Sequence, residues 1–222
     1  MAIPKCSRRA KVKSPYFLKD GVPVPGVTSV LKLRAKPPLV PWANKLGLAG
    51  IDSQKYTDEK AAIGTLAHSM SLKQFRSDLP DLDLSEYSKL EIDLAQNCAL
   101  KFYEWQKAHV LEPILVEEKL VSEVHRYGGT PDFYGKVDGV LTLLDLKTGG
   151  LYPEAWIQLA AYGVLLEEQG HQIDQRILLN IGRDETENFV QAKRQGPSLP
   201  DEEAIFFALL TIYFAEKRLE GK

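Results

Sequence analysis

Two runs of β-forming residues, 126–138 and 140–147, meet at the short connection Lys136-Val137-Asp138-Gly139-Val140. An Asp-Gly pair between two such runs is a strong signal of an antiparallel hairpin. In the second run, Asp145 and Lys147 are two residues apart, so both side chains lie on one face of the strand. The first run carries Asp132, thirteen residues before Asp145. Antiparallel pairing across a short turn is therefore expected to bring the two carboxylates close together.

The rest of the chain predicts an α/β fold with a central mixed β-sheet flanked by helices. A hairpin is expected from Tyr16 to Val24, followed by an extended breaker at 36–41. We predict helices near 58–77, 85–109, 153–168 and 200–219, and further strands at 113–122, 173–182 and 187–193. Two segments follow from this pattern: a basic N-terminal arm at 1–20, and a single domain at 21–222 whose N-terminal part is helical.

Composition limits the classes of partner. The 222 residues are 44% hydrophobic, enough for a real core, and the net charge of −2 gives no overall basic field for nucleic acid. Any contact with DNA must therefore depend on local patches. No apolar run reaches the length of a membrane span, so no membrane partner is expected, and two cysteines fit a reducing cytoplasm. The basic first nineteen residues leave organellar targeting open.

The acidic pair predicts a divalent cation. Two carboxylates at the rim of a core repel one another, and Mg²⁺, which prefers oxygen ligands, relieves that repulsion. Lys147 would then face a phosphate or a nucleophilic water. The strand before this hairpin carries Glu117 and Glu118, of which alternation lets only one point into the site. For Asp145 and Lys147, the structural alternative is a plain salt bridge at a strand end.

Two helical pairs add polar groups to this region. Gln158 and Tyr162 lie four residues apart, on one face of the helix that follows the Asp-x-Lys strand, where they can orient the lysine or touch a phosphate. Gly64 and His68 have the same spacing on an earlier helix. Ordinary surface and core roles are the alternative for both pairs.

Taken together, these residues resemble the PD-(D/E)XK nuclease superfamily, in particular its RecB-like exonuclease branch. The front end, with "GVPVPGVTSVLK" and "LVPWA", is similar to small phage exonucleases and to the mitochondrial genome maintenance exonuclease. The motifs occur in the family's order: Gly64-x-x-x-His68, Glu117 or Glu118, Gly129-x-x-Asp132, Asp145-x-Lys147-Thr148 and Gln158-x-x-x-Tyr162.

The resemblance implies a role for each matching position. Asp132 and Asp145 would be the main metal ligands, with the Leu146 carbonyl as a third oxygen donor. Glu117 is preferred to Glu118 as the remaining acid, and the resemblance makes His68 a ligand to a second metal.

It also makes Lys147 the group that stabilises the attacking hydroxide and the charged transition state, with Gln158 and Tyr162 holding the site and the substrate. The expected cofactor is one or two Mg²⁺ or Mn²⁺ ions. An iron–sulfur cluster, which some relatives bind through four cysteines, is not expected because only Cys6 and Cys98 are present.

The implied activity is that of a metal-dependent deoxyribonuclease. It would be an exonuclease acting on single-stranded DNA or DNA ends, in replication, recombination or repair, in the cytoplasm of a bacterial or phage-infected cell. A recombination or single-strand-binding protein is a candidate partner, and the oligomeric state stays open. The alternatives are a non-catalytic DNA-binding module and a structure-selective endonuclease. Candidate DNA contacts are the basic tail to Lys19, Lys32, Arg34, Lys36, Trp42, Lys45, Tyr152 and Arg183.

Overall fold

A computed structural model describes residues 15–76 and 81–221. Residues 1–14 of the predicted basic arm lie outside this part of the chain. Within it, the helices are α1 (Val27–Leu31), α2 (Leu39–Leu48), α3 (Ser53–Leu72), α4 (Lys89–Gln106), α5 (Pro153–Glu168) and α6 (Pro200–Leu219). The strands are β1 (Tyr16–Phe17), β2 (Pro23–Val24), β3 (Leu111–Val116), β4 (Leu120–Ser122), β5 (Tyr127–Gly129), β6 (Phe133–Val137), β7 (Val140–Lys147), β8 (Gln175–Asn180) and β9 (Val190–Gln195).

The centre of the molecule is a five-stranded mixed sheet in the order β3-β6-β7-β8-β9. Strands β7 and β8 are parallel and are joined through α5, while the other neighbours are antiparallel. The predicted α/β class with a mixed central sheet is therefore confirmed. The hairpin at Asp138-Gly139 is also present, with φ of +53° and +80° at these two residues, as a tight hairpin turn requires.

Two apolar layers cover the sheet. On one face, α1, α5 and α6 pack over side chains such as Tyr134 and Leu143. On the other face, α3 and α4 pack over Phe133, Leu144 and Leu146. The alternation of β7 residues between these layers follows from the period of two in a strand, and it decides which side each functional group faces.

Three element predictions were wrong in detail. The run at 126–138 is divided at Thr130-Pro131-Asp132 into β5, which pairs with β4 in a small separate sheet, and β6 of the central sheet. The expected strand at 113–122 is likewise interrupted after Val116. The expected breaker at 36–41 contains the start of α2, because Pro41 lies in the first turn, where its missing N–H removes no helical hydrogen bond.

In the described part of the chain, the helices are all too short or too polar to cross a bilayer.

Candidate active site

Strand β7 delivers an acid and a base to the α5 side of the sheet. Leu143 belongs to the apolar layer under α5, whereas Leu144 and Leu146 belong to the layer under α3 and α4. Asp145 and Lys147 alternate with the latter pair, so they face α5. Asp145 is 1% exposed, and its Oδ2 lies 2.5 Å from Lys147 Nζ. The predicted common face of the two residues is therefore present.

The β6–β7 register brings the two aspartates together. Phe133 pairs with Leu144, and the same register carried one step further sets Asp132 opposite Asp145. Asp132 Oδ2 accepts a hydrogen bond of 2.7 Å from the Leu146 N–H. Since the N–H and C=O of one strand residue point to the same side, the Leu146 carbonyl also faces the Asp132 side of β7.

His68 reaches the same carboxylate from the opposite layer. His68 Nδ1 lies 3.4 Å from Asp132 Oδ1. One helical turn earlier, a Cβ on Gly64 would stand 3.0 Å from Thr148 Oγ1, so the glycine leaves room for α3 to lie close to the end of β7. The Gly64 and His68 spacing thus has a physical reason: the glycine admits the helix and the histidine then contacts the site.

Glu117 lies beside Asp132, and Glu118 does not. Glu117 follows β3 with φ of +51°, which is left-handed backbone that breaks the strand, and its N–H donates to the Asp132 main-chain oxygen at 3.2 Å. Burial raises the pKa of Glu117, and the Asp132 carboxylate adds to this, while His68 and Arg76 oppose it. Glu118 is exposed to solvent. Strand alternation does not apply to these two acids, because β3 ends at Val116, and Glu117 is the one near Asp132.

The polar pair on α5 holds the lysine. Lys147 Nζ donates a hydrogen bond of 2.9 Å to Gln158 Oε1, and Gln158 Nε2 donates one of 2.7 Å to the Tyr162 hydroxyl. Tyr162 is buried against Gly129, where an added Cβ would lie 2.5 Å from the ring. The predicted pair therefore forms a relay of hydrogen bonds from the α5 core to the ammonium group.

The two aspartates have different electrostatic environments. Burial raises the pKa of Asp145 to about 6; the Lys147 ammonium opposes this shift and Asp132 adds to it. Burial tends to raise the pKa of Asp132, but His68, Lys147 and the Leu146 N–H together lower it. Burial tends to lower the pKa of His68, but the carboxylates of Asp132 and Asp145 together raise it. The environments thus separate the proton affinities of two adjacent carboxyl groups.

The charged side chains of the site contact one another and are not arranged as a set of metal ligands. In residues 15–76 and 81–221, no three His, Cys, Asp or Glu side chains are grouped so that they could hold a metal ion. Asp145 Oδ2 nevertheless fits a cation. This atom is buried and makes no hydrogen bond of normal geometry, despite its short contact with Lys147. A buried anionic oxygen with an unused lone pair suits a hard cation.

Several supporting residues were missed by sequence reasoning. The Tyr16 hydroxyl lies 2.9 Å from Thr130 Oγ1, and a Cβ on Gly128 would lie 2.4 Å from the Tyr16 ring. This fixes the strand before Asp132. Neither residue carries a sequence signal for this contact, since the two are more than a hundred positions apart and the pairing depends on tertiary packing.

Asn180 is a second residue that was missed. It ends β8 directly opposite Lys147 in the parallel register. Its Oδ1 accepts from the Gly150 N–H and its Nδ2 donates to the Asn188 main-chain oxygen, both at 2.8 Å. A polar residue directly after the apolar run Ile177-Leu178-Leu179 was the available signal. Asn180 therefore holds the glycine loop that follows the lysine.

The residues predicted to contact DNA differ in how exposed they are and in whether they form ion pairs. The Arg183 side chain is 11% exposed and forms a forked ion pair with Glu187. Arg34 and Lys36 lie 3.6 and 3.7 Å from the Glu154 carboxylate.

The aromatic candidates are more accessible. Trp42 is 37% exposed and its ring contacts Tyr56 edge-on, with centroids 6.0 Å apart. Tyr152 is 65% exposed. Tyr152 is therefore the more exposed of the two rings.

Comparison with known proteins gives distant structural similarity only. No family model matches the chain, and no curated protein matches it in sequence. Solved structures that match include an alkaline exonuclease, LHK-Exo, from Laribacter hongkongensis, alone and in complex with dAMP, each at 13% identity and TM-score 0.35, covering 70% of this chain and 79% of that one. The structure of SSO0001 matches at 16% identity and TM-score 0.32, covering 71% and 85%. At these scores the similarity carries no weight, so the functional case depends on the geometry of the site.

Proposed function

We propose that the protein is a metal-dependent DNA exonuclease of the PD-(D/E)XK superfamily, close to its RecB-like branch, that acts on single-stranded DNA or DNA ends. One observation carries the proposal: Asp132 and Asp145 oppose each other across β6 and β7, and Lys147 Nζ lies 2.5 Å from Asp145 Oδ2. Two carboxylates and an ammonium at one strand end form the charge pattern that phosphodiester hydrolysis needs.

The residues that would hold Mg²⁺ or Mn²⁺ are the Asp132 and Asp145 carboxylates and the Leu146 carbonyl, with Glu117 and His68 at the edge of the set. Supporting this assignment, Asp145 Oδ2 is buried without a hydrogen bond of normal geometry. The oxygen-rich donors favour these ions over zinc. An iron–sulfur cluster stays outside the proposal, since the chain has only two cysteines.

Such an ion supplies Lewis-acid polarisation of the phosphate and a bound water of lowered pKa. The chain's own groups do the rest. The Lys147 ammonium places a fixed positive charge where negative charge develops on the phosphoryl oxygens. Gln158 accepts a hydrogen bond from that ammonium and is itself held by Tyr162, so the charge is oriented before the substrate arrives.

The test is a time course on end-labelled DNA with Mg²⁺, Mn²⁺ or EDTA. The expected result is the stepwise release of nucleotides from linear single strands with either metal and no release in EDTA. Lys147→Ala protein, folded by circular dichroism, should not cleave. Wild-type cleavage by that variant contradicts the assignment.

Other outcomes identify the alternatives. Tight DNA binding without cleavage in either metal indicates a non-catalytic DNA-binding module. Cleavage of a closed circular substrate, which offers no end, indicates a structure-selective endonuclease.

A further inference from the structure

A cleft of about 370 Å³ lies beside the glycine loop that follows Lys147. It is formed by the N-terminal end of α5, by β9 and by the first turns of α6, with the segment after α1 closing one side. This volume is in the range of small-ligand sites. The proposed hydrolysis does not use it, so its lining indicates what else it can bind.

One wall is a fixed stack of an arginine on a tryptophan. The Arg194 guanidinium lies 4.3 Å from the centre of the Trp156 ring, and Arg194 also forms an ion pair with Glu202. Stacking and ion pairing together restrict the guanidinium plane. This wall therefore combines an aromatic ring with a guanidinium group that has two partners, Trp156 and Glu202.

Tyr152 adds a second flat surface to the same cleft. It is 65% exposed, although a ring of this size usually buries much of its surface. The ring stands close to the glycine loop, since a Cβ added at Gly150 would lie 3.5 Å from it. An exposed aromatic ring in a cleft that also contains a planar cation suits a planar ligand.

The charges that line the cleft cancel. Arg34 and Arg194 are balanced by Asp201 and Glu202. Arg34 is also held by an ion pair with Glu154, whose Oε2 lies 3.6 Å from Arg34 Nη1. A neutral, aromatic-walled cleft favours an uncharged planar group over a free phosphate.

The glycine loop links the cleft to the end of β7. Leu151 lines this cleft and also the second cleft formed by Gly149, Gly150 and Asn180. Asn180 lies opposite Lys147 in the β7–β8 register, so the second cleft has a lining residue beside the lysine. A strand with a phosphate at Lys147 can therefore follow the glycine loop to Tyr152.

We infer that this cleft is a subsite for one unpaired nucleobase of the substrate strand, stacked on Tyr152 beside the Arg194–Trp156 wall. The inference rests on the proposed function and adds a cause of substrate choice. A base can enter such a cleft only when it is unpaired, whereas a paired base keeps its faces inside the duplex stack. The cleft would thus select single strands without reading their sequence.

The test measures binding, not cleavage, using fluorescence anisotropy in EDTA with the full chain. The probes are a labelled single-stranded oligonucleotide and one of equal length made of abasic residues. Tyr152→Leu should weaken binding of the normal oligonucleotide by about tenfold, because base stacking contributes at this level, and should leave abasic binding nearly unchanged. Tyr152→Phe, which keeps the ring, should bind like wild type.

Tyr213→Leu, near the other end of α6, is the matched control and should bind both probes like wild type. Equal losses on both probes, no loss on either, or no binding of the normal strand by wild-type protein would each overturn the subsite. A base-dependent loss in a protein that never cleaves DNA with Mg²⁺ or Mn²⁺ would keep the subsite and reject the nuclease assignment.

Discussion

The Leu146 main-chain N–H donates a hydrogen bond of 2.7 Å to Asp132 Oδ2. This bond attaches a side chain from the start of β6 to the backbone of the neighbouring strand, next to Asp145. The spacing of the two aspartates is therefore set by the strand ladder rather than by side-chain freedom. A charge cluster built in this way is ordered before any ligand binds.

Replacing the lysine should remove activity while the fold remains. Lys147→Ala should lower kcat/KM for single-stranded DNA by at least about 100-fold, the loss typical of a missing charge-stabilising group. The protein should stay folded because Asp145 can take up a proton when the ammonium is absent. The measurement is initial rates with circular dichroism as a check. Lys136→Ala, an exposed lysine on β6, is the control and should leave the rate unchanged.

The two neighbouring glutamates should behave differently. Glu117→Gln should reduce activity by about 10–100-fold, the range seen when a group that supports a metal site is lost. Glu118→Gln should stay within about twofold of wild type, because that side chain is exposed and away from the aspartates. Rates at several Mg²⁺ concentrations should show a raised metal requirement for Glu117→Gln alone. Equal effects of the two changes would contradict the placement of Glu117.

Asp145 should make the metal-free protein less stable as pH rises. Its folded pKa is about 6, above the ordinary 3.8. The folded state then binds the proton more tightly, so the stabilisation is complete below pH 4 and is lost as pH rises through 6. The free energy of unfolding is measured in urea with EDTA for wild type and for Asp145→Asn. The difference between the two, wild type minus variant, should decrease on the order of 2–3 kcal/mol as pH rises across this window. Asp58→Asn, at an exposed site, should follow wild type throughout.

Two glycine-to-alanine substitutions should have opposite effects on the stability of the protein. Gly129→Ala would place a Cβ 2.5 Å from Tyr162 Cε1, against a ring that is held by Gln158. This overpacking should destabilise the protein by about 1–3 kcal/mol and reduce cleavage by displacing the relay to Lys147. Gly47→Ala, on exposed α2 with no atom within 4 Å, should instead stabilise by about 0.5 kcal/mol. Thermal and urea unfolding measure both, and a tolerated Gly129→Ala would mean that the ring can shift.

The local sequence pattern was sufficient to predict those parts of the fold that depend on residues close together in the chain. The Asp138-Gly139 turn fixes the β6–β7 register, and that register alone places Asp132 opposite Asp145. Pro153 marks the first turn of α5, and the spacing of four residues puts Gln158 and Tyr162 on one face.

Features that depend on distant packing could not be predicted. Glu117 adopts left-handed backbone, which a glutamate does not signal, and this ends β3 earlier than its β-forming residues suggest. The contact of Tyr16 with Thr130 and the hold of Asn180 on the glycine loop join separate parts of the chain. No periodicity in a single segment encodes such contacts.

The order in which the site's members occur along the chain has a consequence during synthesis. A nascent chain that has reached Gly150 already contains both aspartates and the lysine, but the Gln158 amide that steers the ammonium arrives only with α5. Unfinished polypeptides and fragments that end before α5 therefore lack the Gln158 side chain that orients the Lys147 ammonium. Under the proposed function, the site would be complete only after α5 has packed on the sheet, and incomplete chains would not cleave DNA.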